Sequence, residues 1–196
     1  ANPDYWQEGV PYFDGIEIRQ FTQHDLRDKI GYVPQKGMLF SCTIASNLYY
    51  ADENATDEEL SAAVDIAQAG EFVFAAPEGM QAEIAQGGAN VSGGQKQRLS
   101  IARALVKKPP IYIFDDSFSA LDFKTDVALR RALREKLAGS TVLIVPQRVS
   151  TIMHAEQIIV LDEGRIVGRG SHAELMRDCA VYREIAVSQI GLVGLR

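Results

Sequence analysis

The run Val91-Ser92-Gly93-Gly94-Gln95-Lys96-Gln97-Arg98 combines residue types that can hold a phosphate. Serine is a good helix N-cap, and Gln95 stands three residues after Ser92, the spacing of a capping box. Two glycines let the backbone approach a ligand, and the amides of a helix N-terminus favour an anion. The run therefore reads as a helix start facing phosphate. A second chemical pair, Asp115-Asp116, ends the apolar run Ile111-Tyr112-Ile113-Phe114. Ligands of open α/β sheets lie beyond the carboxyl ends of strands, and magnesium takes one or two carboxylates with phosphate oxygens and water. The pair is a candidate Mg-nucleotide site or an exposed turn at a strand end, and taken alone it does not separate the two. No lysine follows a glycine in the sequence, so it contains no G-x-x-x-x-G-K-[ST], the loop that would cradle a nucleotide of the chain's own.

Local signals set the elements that must position these residues. Tyr12 to Ile18 is expected as a strand interrupted by Asp14-Gly15. Thr22 opens a short helix through Lys29, and Ile30 to Val33 is a strand ended by Pro34. Gln35 to Phe40 reads as a loop, and Ser41 or Cys42 starts a helix through about Tyr50. Thr56 and Glu59 form a capping box for a helix that Gly70 stops. The phosphate-facing helix runs from Ser92 to about Val106. Ile111–Phe114 and Thr141–Val145 are apolar runs of the kind found in buried parallel strands. A helix from about Phe123 to Leu137 separates them. Asp162-Glu163-Gly164 turns a hairpin between Gln157–Leu161 and Arg165–Val167. Ser171 and Glu174 cap one more helix, and a last runs from about Val181 to Gln189. Strands alternating with helices in the second half predict an α/β layer with parallel strands, and the helical stretch 43–107 reads as an insertion.

At 196 residues the chain fits one domain with a small subdomain. Its net charge of −6 leaves no basic excess to neutralise phosphates, which argues against a general nucleic-acid binder. No uncharged apolar run is long enough to span a bilayer, and the start lacks the pattern of a signal peptide. Cys42 and Cys179 are too few for a disulfide framework and have no metal-ligand spacing. His24, His154 and His172 lie far apart and suit surface or packing roles. Lys107-Lys108 fits a helix C-terminus, and Arg130, Arg131, Arg134 and Lys136 a solvated helix face.

Five stretches in family order resemble the ATP-binding cassette (ABC) ATPases. Val33-Pro34-Gln35 resembles the Q-loop and residues 91–98 the signature motif. Ile111 to Asp116 resembles the Walker B strand, Ser119-Ala120-Leu121-Asp122 the D-loop, and Gln147-Arg148-Val149-Ser150-Thr151 the switch region. The resemblance covers about residues 14–190 and is closest to the ATPase domains of exporters, particularly one subunit of heterodimeric multidrug exporters.

The resemblance implies a P-loop NTPase-like α/β fold, with a mostly parallel sheet, helices on both faces and a helical subdomain. It implies a single ABC ATPase domain over 1–196, with 43–107 as the helical subdomain and 108–196 as core strands and C-terminal helices. Ser92, Gly93 and Gly94, within the signature Val91 to Gln95, would contact the γ-phosphate of ATP held by a partner domain. Gln35 and Asp115 would help hold Mg²⁺, Asp116 occupies the catalytic-base position, and Asp122 would couple two sites across a head-to-tail dimer. ATP and Mg²⁺ are the implied cofactors. A second ABC ATPase domain, as a heterodimer, and a transmembrane domain are the implied partners, at the cytoplasmic face of the cell membrane.

Three departures bear on mechanism. The base position carries Asp116 where the family has Glu, which retracts the carboxylate by about 1 Å, a displacement that can cost roughly 10²-fold in rate. The switch position carries Gln147 where the family has His; glutamine donates a hydrogen bond but shuttles no proton. Walker A would fall before residue 1, so the chain is expected to be an N-terminally truncated domain, the degenerate half of a pair. Glu8-Gly9 and Asp14-Gly15 fit the segment after Walker A, and Tyr5 and Trp6 are expected as an apolar anchor. Pro146 removes a backbone donor beside the switch residue. The alternatives are a non-catalytic module that donates its signature to a partner, and an inactive structural remnant.

Overall fold

The computed structural model describes residues 12–190. The expectations for Tyr5, Trp6, Glu8 and Gly9 lie outside them. The chain divides into two compact units, one up to Leu143 and one from Ile144.

The first unit opens with a hairpin rather than one interrupted strand. Asp14 (φ 49°) and Gly15 (φ 77°) are both left-handed, the conformation of a tight two-residue turn. They join β1 (Tyr12–Phe13) to antiparallel β2 (Ile16–Glu17), and Ile18–Gln20 forms a 3₁₀ turn. Thr22 caps α1 (Gln23–Asp28) by accepting from the Asp25 amide. β3 (Ile30–Val33) pairs in parallel with β4 (Ile111–Asp115), in the register Ile30↔Ile111 to Val33↔Phe114. β5 (Thr141–Val145) completes the sheet order β3-β4-β5, and the division between the units falls within it.

Tyr112 and Phe114 on the central strand and Val33 on β3 are buried, and the Phe114 ring contacts those of Tyr112 and Phe118. β5 does not match the expected buried strand: Val142, Leu143 and Val145 are exposed. An apolar run reports a strand but not its place, and β5 lies at the edge of the sheet among the described residues.

Between β3 and β4 the chain is almost wholly helical, with α2 (Ile44–Tyr49), α3 (Asp57–Ile66), α4 (Gly70–Ala75) and α5 (Gly93–Val106). Leu48, Leu60, Val64, Val73, Leu99 and Ile101 form its core, each fully buried side chain contributing about 1.5–3 kcal/mol. Thr43, not Ser41 or Cys42, caps α2, because Cys42 and Thr43 are drawn into extended pairing with the 82–84 segment. α3 ends at Ile66, before Gly70: Gln68 takes the left-handed turn (φ 57°), and Gly70 begins α4.

α6 (Phe123–Lys136) follows β4 and buries Leu129 and Leu133. Arg130 is not on a solvated face as expected; it makes a half-buried two-pronged pair with Asp126, at 2.9 and 2.8 Å. Arg131 stays exposed beside Glu135. Lys107 does not serve its own helix dipole alone. Its ammonium donates to the carbonyls of Arg27, in the last turn of α1, and Ile30, just after it.

Lys108 pairs with Glu59, whose carboxylate also accepts from the Thr56 amide. The Lys108 contact, then the Thr56 bond, hold the Glu59 carboxyl below its ordinary value. The unfolded chain therefore takes up this proton at higher pH than the folded one. The stabilisation is complete above the ordinary carboxyl value and is lost as pH falls through the folded one. Thermal melts of wild type and Glu59→Gln should differ at pH 7 and converge on acidification.

In the second unit, β6 (Ile158–Asp162) and β7 (Arg165–Gly170) form the expected hairpin, turned by Glu163 and Gly164 at positive φ. α7 (His172–Asp178) starts at the predicted Ser171/Glu174 capping box, and α8 (Ala180–Ile190) follows. Val149, Ile158, Val160, Leu175, Cys179, Tyr182 and Ala186 make a separate core. His172 Nδ1 lies 2.7 Å from the Tyr182 hydroxyl, a packing role.

Candidate functional site

The parallel pairing of β3 and β4 delivers two chain exits side by side. Ser117 locks them: its buried hydroxyl donates to the Val33 carbonyl at 2.8 Å. Beyond that lock, Gln35 Nε2 donates to Asp116 Oδ2 at 3.0 Å, and Ser119 Oγ donates to the same oxygen at 2.9 Å. Asp116 is buried and holds a left-handed backbone (φ 44°), a conformation that costs a non-glycine residue about 1 kcal/mol or more. The strand-end turn that places Asp116 is thus strained, and two donors fix its carboxylate. Next to it, the Tyr32 hydroxyl donates to Asp115 Oδ2 at 3.0 Å, which raises the Tyr32 pKa.

Gln35, Asp115, Asp116 and Ser119 are therefore gathered at one end of the sheet. Their chemistry fits magnesium. Gln35 spends an amide N–H on Asp116, which leaves its oxygen available as a hard ligand. Among the described residues no group of three or more His, Cys, Asp or Glu could hold a metal. The ion would depend on phosphate oxygens and water, the arrangement magnesium prefers.

The capped helix start at Ser92 forms as its sequence predicts. Ser92 Oγ accepts from the Gln95 amide, and Gln95 Oε1 accepts from the Ser92 amide at 2.8 Å. Gly93 is exposed, and nothing lies within 4 Å of where its Cβ would stand. Gly94 sits against the 119–122 loop: a Cβ there would stand 3.1 Å from the Ala120 carbonyl and 3.7 Å from Leu121. Val91 ends a loop braced by Asn90, whose side chain bonds Ala85 and Glu83, and by Lys96, which donates to the Gly87 carbonyl. Arg98 grips the Gln68 carbonyl at 2.6 Å and lies over the Phe72 ring. Its partial burial lowers its pKa, against the pull of Asp122 and Glu71.

Asp122 caps α6, accepting from the Thr125 amide at 3.0 Å and the Thr125 hydroxyl at 2.7 Å. The Thr125 amide bond is the main reason its carboxyl lies below the usual range.

Gln147 belongs to the second unit and is exposed. The switch segment is clamped from α8: Gln189 Nε2 donates to the Gln147 carbonyl at 3.0 Å, and the Val149 amide donates to Gln189 Oε1 at 2.8 Å. Pro146 stands beside this clamp, and nothing in the structure explains its presence.

Sequence reasoning missed Tyr32, Gln189 and Gln97. Gln97 is buried on α5, donating to the Pro34 carbonyl at 3.0 Å and accepting from the Gly37 amide at 2.9 Å. A signal for it existed: a polar residue four before buried Ile101 and seven before buried Ala104 stands on the apolar face. Tyr32 and Gln189 carry no such local mark.

A scan against protein-family models matches residues 2–119 to the ABC transporter family. An uncharacterized ABC transporter ATP-binding protein of Mycobacterium bovis is 46% identical over 92% of this chain and 31% of its own length. A probable multidrug resistance ABC transporter ATP-binding/permease protein of Bacillus subtilis is 43% identical over 90% of this chain and 30% of its own length. Among solved structures, a bacterial Atm1-family ABC exporter with ATP bound superposes with a TM-score of 0.89 at 38% identity, covering 93% of this chain and 32% of that one. The chain thus spans about a third of the length of these relatives. With its β3–β4 parallel sheet, helical segment and ordered motifs, it belongs to the ABC transporter family and has the fold of that family's ATP-binding domain.

Proposed function

We propose that this chain is the ATP-binding cassette of a membrane exporter, paired head to tail with a second ATP-binding domain at the cytoplasmic face of the membrane. Residues 43–107 act as its signature-bearing subdomain, and 108–196 supply core strands and C-terminal helices. No helix among the described residues is long and apolar enough to cross a membrane. The membrane-spanning part is therefore assigned to a separate domain, in keeping with a relative described as ATP-binding/permease.

Ser92, Gly93 and Gly94 receive the γ-phosphate of ATP bound by the partner. The exposed, unobstructed helix start at Gly93 is the observation that carries this reading. Gln35 and Asp115 hold Mg²⁺, which would supply charge neutralisation at the phosphates. Asp116 takes the base position in the conversion of ATP and water to ADP and phosphate. Its side chain is short and Gln147 moves no proton, so this chain's own site is the weak one of the pair.

The test measures ATP turnover by the chain, by an ABC ATPase domain carrying an intact phosphate loop, catalytic Glu and switch His, and by the mixture. Expected are no turnover by the chain and a mixture faster than the partner alone, with the gain lost on Ser92→Ala. Turnover by the chain alone, or a mixture no faster than its parts, contradicts the reading.

A further inference from the structure

We propose that Gln97 is a positioning residue that makes the Gln35 loop and the phosphate-facing start of α5 move as one body. The inference rests on the functional reading above for its consequence, but not for its geometry. Gln97 is 2% exposed, and its carboxamide makes one donated and one accepted bond, both to the main chain of one loop. Its Nε2 donates to the carbonyl of Pro34, immediately before Gln35, and its Oε1 accepts from the amide of Gly37, two residues after. Gln35 is thus bracketed by the two groups that Gln97 holds, and its own side chain reaches Asp116.

The fit is close on the loop side as well. A Cβ on Gly37 would stand 2.9 Å from the Lys96 carbonyl, 2.9 Å from Ser100 Oγ and 3.0 Å from Gln97 Oε1, so only glycine lets the loop lie this near the helix. On the helix side, Gln97 lies one turn after Gly93, and the capping box at Ser92 and Gln95 fixes the turn between them. Any shift of Pro34 to Gly37 is therefore passed to the helix start through two hydrogen bonds rather than through side-chain packing. Mere filling of the core would need neither polar atom, because an apolar side chain of the same length would occupy the space.

The test uses Gln97→Met, which keeps the length and removes both bonds. Leu99→Ala, buried on the same helix, controls for loss of stability. Amide hydrogen exchange of the chain is read at Gly37, and stimulation of the partner ATPase is read in the mixture. Gln97→Met is expected to speed Gly37 exchange about tenfold beyond Leu99→Ala, as for a local opening rather than global unfolding. Gln97→Met is also expected to cut stimulation about fivefold or more, since misplacement on the ångström scale is costly in a phosphoryl-transfer site. Gly37 exchange no faster than in the control overturns the proposal, as does unchanged stimulation where Ser92→Ala abolishes it. If Ser92→Ala has no effect, the functional reading fails, and the exchange measurement alone still decides for or against the clamp.

Discussion

Gly93→Asp is expected to leave the chain folded and to abolish its effect on a partner ATPase. Nothing lies within 4 Å of the position a Cβ would take at Gly93, so a side chain there meets open space. Gly93 is the first residue of α5, where a carboxylate interacts favourably with the helix dipole, by about 0.3–1 kcal/mol. Glycine itself is a poor residue inside a helix, so its loss costs the fold nothing. Stability should therefore hold or rise slightly. Function should move the other way. On the function proposed above, the new carboxylate stands where the γ-phosphate approaches, and it repels that phosphate while screening the helix-start amides. Losing a preorganised donor of developing charge costs roughly 10²–10³-fold, and added repulsion places the loss at the upper end. Thermal melts and turnover in the mixture should part company, with an unchanged or higher Tm and no stimulation. Gly93→Ala, which adds a methyl without charge, should lose far less.

Phe114→Ala carries the largest expected effect on stability. Phe114, on the central strand of the sheet, has no exposed surface, and its ring contacts those of Tyr112 and Phe118. Truncating a buried Phe to Ala costs about 3–5 kcal/mol, through lost transfer energy and the cavity left behind. That is a large share of the roughly 5–15 kcal/mol that a domain has in hand. The cavity would open immediately before Asp115 and Asp116, so the strained turn at Asp116 would lose its support as well. Urea denaturation should show a lower midpoint with an unchanged slope. Phe114→Leu, which keeps most of the volume, should cost well under half as much.

What was readable in the sequence was mostly local. The capping boxes at Thr56/Glu59, Ser92/Gln95 and Ser171/Glu174 formed as their spacing predicts, because every partner lies within one helical turn. Ile30–Val33 was bounded correctly because Pro34 cannot continue a ladder. Errors came where a distant partner or a sheet position decides. Gly70 was a plausible helix stop, but the chain turns earlier at Gln68, whose carbonyl is held by Arg98, thirty residues on. Thr141–Val145 reads as a buried strand, yet Val142, Leu143 and Val145 are exposed, because burial depends on what packs against a strand and not on its own apolar run.

The site divides in the same way. Motif order singles out Gln35, Asp115, Asp116 and Ser119, and the fold places them beyond or at the ends of β3 and β4, with Gln35 and Ser119 both bonded to Asp116. The groups that hold them are not singled out. Gln97 reaches the Gln35 loop from more than sixty positions away, and Gln189 reaches the Gln147 segment from another helix. Gln189 leaves no spacing to read, and Gln97 shows in the sequence only as a polar residue on the apolar face of α5.

On the function proposed above, this chain lends its signature to a nucleotide held elsewhere. Sedimentation of the chain with a phosphate-loop-bearing ABC ATPase domain, with and without Mg-ATP, measures this. A one-to-one complex that forms only with nucleotide and disappears with Gly93→Asp is expected. No complex in Mg-ATP, or one that survives Gly93→Asp unchanged, would contradict it.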